Sequence, residues 1–346
     1  MKAVRFTGPK ELKYEDVEKP QVDRNEVLVK VKAVGICGSD MELYSGEHPY
    51  IKKELTKYPL IPGHEWSGII EEVGSDVKGL KTGDRVTSDV SLGCGECSMC
   101  KKGRYNLCPN RIVVGSYKNK DGAFAEYIKV PSKNIYKIPD TMSFEEGSMI
   151  ESAATCSYGI MRTNMDYGST VLVIGDGPIG QLAMQCAKSA GASKVYLVGS
   201  WEEKMNIAKS TGADAVLNYK KDDILKEINK LTEGEGVDVV IESSGNPITF
   251  NQSLNAVKPG GKVLLLSIYT SSEFMSEINS IVAKDLDVYG ALGSPNAFGP
   301  TIDLMESGRI NVKPLITHNY PLKNAKEAIE MIENKKECRI KAVLIP

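Results

Sequence analysis

The stretch Thr170-Val171-Leu172-Val173-Ile174-Gly175-Asp176-Gly177-Pro178-Ile179-Gly180 decides the fold. A short apolar run, Val171 to Ile174, breaks into three glycines. An apolar-periodic stretch follows from Ile179 to Ala190, and a second apolar run closes the unit at Val195 to Val198. The order reads as strand, glycine turn, helix, strand. In such a unit one glycine makes the tight turn, one admits a pyrophosphate to the backbone, and one lets the helix pack closely on the strand. Free N–H groups at the helix start attract phosphate. Gly175, Gly177 and Gly180, with Pro178 and Ile179 between them, are therefore expected to hold a dinucleotide. Alone the glycines would mark no more than a turn; the two flanking strands carry the reading.

Outward from this unit the same rhythm continues, with strands expected at 215–217, 237–241 and 262–266 and helices at 202–211, 222–232 and 247–257. Such alternation predicts a doubly wound parallel sheet covered on both faces. Upstream the period changes near Ser143, which with Glu146 forms a capping box at a helix start. Before it, apolar and polar residues alternate, as in Val27-Leu28-Val29-Lys30-Val31-Lys32-Ala33-Val34, between Gly, Pro, Asn and Asp. Further short strands are expected at 68–73, 84–87, 125–130 and 135–138. The change of pattern sets the expected domains: 1–148 predominantly β, 149–284 the dinucleotide-binding domain, and 285–346 returning to the first.

A chain of 346 residues buries more than one core, which agrees with two domains. A formal charge of −2 gives no electrostatic case for nucleic acid or an anionic membrane. The N-terminus is too polar for a signal peptide and no apolar run approaches bilayer length, so a cytoplasmic location is expected. Of eight cysteines, four fall within Cys94-x2-Cys97-x2-Cys100-x7-Cys108, in a lobe spanning about 90–112. Four thiolates close a tetrahedral shell and leave no position for water, which predicts a structural zinc; iron–sulfur ligation is the competing reading. A disulfide pair does not suit a reducing cytosol. Cys156, Cys186 and Cys338 read as small buried hydrophobes.

Cys37, His64, Glu65 and Glu151 persuade little when taken singly, since a lone histidine is more often a satisfied polar residue. They stand, however, in Gly35-Ile36-Cys37-Gly38-Ser39-Asp40, Gly63-His64-Glu65 and Glu151-Ser152-Ala153-Ala154. Beside these lie Gly83-Asp84-Arg85-Val86, Gly103-Arg104-Tyr105-Asn106 in the cysteine lobe, and Asp121-Gly122-Ala123-Phe124-Ala125-Glu126-Tyr127. With the glycine turn, these motifs resemble the zinc-dependent medium-chain dehydrogenase family from Lys2-Ala3-Val4 to the C-terminus. The resemblance implies a GroES-like β-rich catalytic domain plus a Rossmann coenzyme domain, and homodimers or homotetramers. It also implies a second zinc, catalytic, held by Cys37, His64 and a carboxylate, with substrate or water in the open position. Alcohol-type members place a cysteine where Glu151 stands. The polyol, sorbitol-like branch uses the Glu65 and Glu151 pair, one binding zinc directly and the other directly or through water, so the expected substrate is a sugar alcohol. Ser39 matches the hydroxyl that passes the alcohol proton outward, Glu42 replaces a histidine of the relay, and Thr155 matches a position near the nicotinamide. A zinc-free quinone or enoyl reductase would lack Cys37, His64 and Glu151, and a zinc-ribbon binding protein would leave the glycine turn unexplained.

NAD-specific sites carry an acid at the end of the second strand for the ribose hydroxyls. Here Gly199 takes its place, followed by Ser200 and Trp201, with Lys204 nearby. A small residue, a hydroxyl and a cation suit a 2′-phosphate, so NADP(H) is expected over NAD(H). Tyr219 matches a residue beside the 2′-phosphate in NADP-dependent bacterial secondary-alcohol dehydrogenases, although those have arginine where Trp201 stands. Glu202 and Glu203 oppose the reading unless they face solvent. For the substrate, the resemblance sets the loop of Tyr44, His48, Tyr50, Lys52, Lys53 and Lys57 at a cleft mouth, with Ser294 and Asn296 of 290–298 lining the other side. Those lysines would suit a polyol phosphate, and Lys341-Ala342-Val343-Leu344-Ile345-Pro346 is similar to the ending of galactitol-1-phosphate dehydrogenases. His318 reads as structural.

Overall fold

The computed structural model describes residues 1–269, 273–334 and 338–346. The chain divides into two compact units, Met1–Glu151 with Phe298–Ile302 and Ile316–Pro346, and Ser152–Ala297 with Asp303–Leu315.

In the second unit six strands form one parallel sheet: β1 (Thr170–Ile174), β2 (Lys194–Gly199), β3 (Ala215–Asn218), β4 (Val237–Glu242), β5 (Val257–Leu265) and β6 (Asp287–Gly290). They lie in the order β3-β2-β1-β4-β5-β6. Helices Pro178–Ser189, Glu202–Ser210, Ile224–Leu231 and Pro247–Ala256 are the crossovers. Central strands covered on both faces must be apolar throughout, and Val171 to Ile174 are all buried. The order reverses beside β1, where β4 follows in space but not in sequence. This switch point is where open α/β sheets bind ligands.

Two elements depart from their sequence signals. β5 begins at Val257, opposite Val237, and its register then shifts so that Val239 faces Lys262. The intervening Pro259, Gly260 and Gly261 read as turn, and the strand takes them up as an irregularity. β6 is an edge strand with little buried side chain, so it carries no apolar run.

The first unit is built on a seven-stranded sheet in the order Ile316–Pro321, Lys341–Ile345, Glu26–Gly35, Glu65–Val73, Arg85–Ser88, Ile135–Lys137, with Tyr127–Pro131 also paired to Glu26–Gly35. Phe6, Val29, Val31, Trp66, Ile70, Phe124, Ile128 and Leu344 fill its core. The register of this sheet builds the site, because Gly35 stands opposite Glu65 on one side and opposite Val343 on the other. Ser143 and Glu146 form the expected reciprocal cap: Ser143 Oγ accepts the Glu146 N–H at 3.1 Å, and Glu146 Oε2 accepts the Ser143 N–H at 2.7 Å. Among the described residues no helix is long and apolar enough to cross a membrane.

Two glycines of the turn after β1 differ in what holds them. A Cβ on Gly180 would lie 1.9 Å from the Gly175 carbonyl oxygen, whereas one on Gly177 would meet nothing within 4 Å. Gly180→Ala is thus expected to cost about 1–3 kcal/mol of unfolding free energy, as overpacking does. Gly177→Ala should change stability by less than about 0.5 kcal/mol, while weakening dinucleotide binding. Urea unfolding of both variants checks this, and equal stability losses would refute the division.

Candidate metal centres and dinucleotide turn

Cys37 precedes helix Gly38–Ser45, and His64 precedes strand Glu65–Val73. One buried carboxylate ties the two segments together. Asp40 Oδ2 accepts the Cys37 N–H at 2.8 Å, and its Oδ1 accepts the Gly63 N–H at 3.3 Å. The same Oδ1 lies 3.4 Å from His64 Nδ1, an ionic contact without hydrogen-bond alignment. With Nδ1 facing Asp40, Nε2 is the nitrogen left to ligate; Ser39 Oγ stands 3.5 Å from it. Burial pulls the imidazole toward the neutral form, but Asp40 and Cys37 outweigh it and hold His64 well above its usual value.

Ligand atoms of Cys37, His64 and Glu65 lie within 4.8 Å of one another. Glu151, the second residue of helix Ile150–Thr163, falls outside that set. It is nevertheless coupled to the set: burial pushes its carboxyl up to about 7, with His64 pulling it down and Glu65 pushing it further up. A divalent ion would let both carboxylates ionise. Sulfur, imidazole nitrogen and carboxylate oxygen together are a donor set that suits zinc.

Lys341 completes this cluster. Its Nζ lies 2.5 Å from Glu65 Oε2, and the two side chains are only 2% and 1% exposed. Burial lowers the Lys341 ammonium, but Glu65 and Cys37 hold it above its usual value. Gly35 makes the room, since a Cβ there would meet Glu65 Oε2 at 2.4 Å.

In the cysteine lobe the four sulfurs of Cys94, Cys97, Cys100 and Cys108 also lie within 4.8 Å of one another, with Cys94 and Cys100 3.9 Å apart. Metal–sulfur bonds of about 2.3 Å in a tetrahedron give sulfur–sulfur edges of about 3.8 Å. A single ion therefore fits, and a disulfide does not. Backbone N–H groups of Cys94, Cys97 and Cys100 point at Cys108, Cys94 and Cys97 sulfurs at 3.4, 3.4 and 3.5 Å. N–H donation from Cys97 and then Glu96 lowers the Cys94 thiol to about 6, while desolvation pushes Cys100 up to about 11. A cation would remove that disparity. Tyr105 anchors the lobe by donating to Asp89 Oδ2 at 2.6 Å.

At the glycine turn, helix Pro178–Ser189 starts with Pro178 at its first position and no side chain capping it. Gly199 ends β2, Ser200 and Trp201 follow, and Lys204 lies in the first turn of helix Glu202–Ser210. Tyr219 follows β3, half-exposed, its N–H donating to the Gly199 carbonyl at 3.1 Å. The residues expected around a 2′-phosphate thus come together, and Glu202 and Glu203 are exposed. Thr155 is partly buried on helix Ile150–Thr163. Sequence reasoning missed Asp176, whose Oδ2 accepts the Ser200 and Trp201 N–H groups at 2.9 and 3.3 Å. It also gave Asp40 and Lys341 no role. Asp40 had a local signal, three residues after Cys37, whereas Lys341 had none.

The loop of residues 44–57 is spent largely on structure. Tyr44 Oη donates to the Lys10 carbonyl at 2.9 Å, His48 is buried beside Tyr50, and Tyr50 packs against Tyr117 with the rings tilted at 39° while accepting from Arg111 Nη2 at 2.9 Å. Lys52, Lys53 and Lys57 are exposed, and Lys52 pairs with Glu47. Ser294 is buried and Asn296 exposed. His318 Nδ1 lies 2.9 Å from Thr317 Oγ1. Cys156 and Cys186 are buried as expected, but Cys338 is only partly so.

Residues 23–140 match the family described as "Alcohol dehydrogenase GroES-like domain", and residues 178–307 that described as "Zinc-binding dehydrogenase". The chain is 35% identical to the sorbitol dehydrogenase of Bacillus subtilis (strain 168), over 100% of this chain and 97% of that one. It is 36% identical to the L-threonine 3-dehydrogenase of Bacillus licheniformis, over 100% and 99%. A zinc-binding dehydrogenase from Sinorhizobium meliloti 1021 bound to NADP superposes with a TM-score of 0.92, at 34% identity over 100% of this chain and 99% of that one.

Removing one partner of the buried Lys341–Glu65 pair should be costly. Lys341→Met is expected to lower the unfolding free energy of the metal-free protein by about 3–5 kcal/mol, and Glu65→Gln in the same chain should restore part of it. A double-mutant cycle by urea unfolding with no coupling would reject the pair as a stabilising contact.

Proposed function

The chain belongs to the zinc-dependent medium-chain dehydrogenases, and on that footing we propose that it interconverts a secondary alcohol of a polyol and the matching ketone by hydride transfer, with two zinc ions and NADP(H). The observation that carries this reading is the cluster of Cys37, His64 and Glu65 with Glu151 coupled to it, Glu151 standing where alcohol-type members have a cysteine. Cys37, His64 and one or both carboxylates hold the catalytic ion. When bound, zinc supplies the Lewis acidity that lowers the pKa of a hydroxyl, and the nicotinamide accepts the hydride.

The chain's own groups do the positioning. Asp40 fixes the imidazole and the Cys37 backbone in one contact set. Ser39, beside His64 Nε2, is the hydroxyl that takes the alcohol proton. Glu42, on the same helix and with its carboxyl raised by burial, stands where the family's relay has a histidine. Gly175, Gly177, Pro178, Ile179 and Gly180 receive the pyrophosphate, and Thr155 flanks the nicotinamide. Cys94, Cys97, Cys100 and Cys108 hold the second zinc in a closed shell, which gives it a structural role.

The names of the relatives, sorbitol and L-threonine 3-dehydrogenase, support a secondary hydroxyl as the group oxidised. The Glu65 and Glu151 pair favours a polyol. A polyol phosphate draws less support, because its candidate lysines are exposed and Lys52 is already paired. NADP(H) is supported by Gly199, Ser200, Lys204 and Tyr219; one observation, the Asp176 carboxylate on the Ser200 and Trp201 amides, favours NAD(H) as a second reading. Eight cysteines free of disulfides fit the reducing cytoplasm, and assembly as a homodimer or homotetramer belongs to the same reading.

Cys37→Ala or His64→Ala should abolish hydride transfer, lower zinc from two ions per chain to one, and leave coenzyme affinity within a few-fold. Cys97→Ser should lose the other ion and lower the melting temperature. Metal analysis with stopped-flow reduction of NADP+ and NAD+ by a panel of polyols and polyol phosphates is the measurement. Undiminished turnover in Cys37→Ala would refute the catalytic assignment.

A further inference from the structure

We propose that Asp176 limits the preference for NADP(H) that Lys204, Ser200 and Tyr219 create: from the middle of the glycine turn it places its carboxylate where other chains hang an acid from the end of the second strand. This rests on the dinucleotide reading of the turn. Position 199 is a glycine, which on sequence alone leaves the 2′ position open. In the structure that space is filled. A Cβ built on Gly199 would lie 2.6 Å from both Cβ and Oδ2 of Asp176, so a side chain at 199 and the Asp176 carboxylate compete for one volume. Gly199 is therefore the residue that lets Asp176 in.

The surroundings give that carboxylate a definite orientation. Oδ2 accepts from the amides of Ser200 and Trp201, at 2.9 and 3.3 Å. Oδ1 faces the Lys204 ammonium at 3.7 Å, too long for a hydrogen bond, and the Asp176 side chain remains 16% exposed. A carboxylate accepts about four hydrogen bonds, so Oδ1 keeps capacity for a ribose hydroxyl. The amides and Lys204 are the donors that a 2′-phosphate would need, and Asp176 already engages them. A phosphate arriving there meets a negative charge fixed by two N–H groups, whereas a hydroxyl meets an acceptor. Asp176 thus opposes the pull of Lys204, Ser200 and Tyr219 toward NADP(H), and removing its charge hands those donors to the phosphate.

Asp176→Asn tests the charge while keeping an oxygen for the amides. Titration of the zinc-loaded protein with NADH and with NADPH, followed by nicotinamide fluorescence, gives both dissociation constants. The ratio Kd(NADPH)/Kd(NADH) is expected to fall about tenfold to a hundredfold, the range of one charge-assisted hydrogen bond. A folded Asp176→Asn with an unchanged ratio, or with both affinities reduced alike, overturns the proposal and leaves Asp176 as a brace for the turn. Should Asp176→Asn fail to fold, Asp176→Ser removes the same charge and keeps a hydroxyl acceptor, and the same ratio decides. Wild-type protein that binds neither coenzyme would instead overturn the dinucleotide reading itself, and this proposal with it.

Discussion

Glu65, buried and held 2.5 Å from the equally buried Lys341, is the contact on which the first unit depends. Taking two charges out of water costs several kcal/mol per ion, and only close pairing offsets it. The pair is possible because the strands around it are in one register: Gly35 opposite Glu65, Val343 opposite Gly35, and no Cβ between them. A slip of one residue would turn every side chain of the C-terminal strand to the other face and leave the Glu65 carboxylate without this cation. The ionic pair therefore specifies the register, and the register delivers Cys37, His64 and Glu65 to one place.

The two candidate metal centres show how the same ligand type could serve opposite ends. In the lobe, four sulfurs within 15 residues of sequence are enough to close a tetrahedron, and backbone amides of the same short segment point at them. That centre is local and self-contained. The cluster at Cys37 draws its groups from four separate segments of the chain and keeps hydroxyl and carboxylate neighbours beside it, namely Ser39 and Glu151.

Much of this was legible in the residues. Strands with long apolar runs, β1, β2 and β4, and the helices between them are fixed by local periodicity, and the Ser143–Glu146 cap by a spacing of three. The lobe announced itself by spacing, and Cys37, His64 and Glu65 came from motifs that the fold brings together. What escaped was whatever depends on long-range pairing. Lys341 lies 276 positions from Glu65, and nothing around it marks it as a buried cation. β6 is an edge strand and needs no apolar run. Asp176 sits inside the most readable motif of the chain, yet its role depends on the space above Gly199, which only coordinates reveal.

The strand Lys341–Ile345 lies between Ile316–Pro321 and Glu26–Gly35 in a sheet whose other five strands come from the first 140 residues. During synthesis the strands of the second unit, β1 to β6, all emerge before Ile316–Pro321 and Lys341–Ile345, so that sheet has every strand it needs while the other is still two members short. The first sheet can close, and Glu65 can acquire its cation, only once residue 341 has left the ribosome. Until then the cluster of Cys37, His64 and Glu65 belongs to an incomplete sheet with an unpaired edge, so this candidate ligand set is a late product of the chain's own translation.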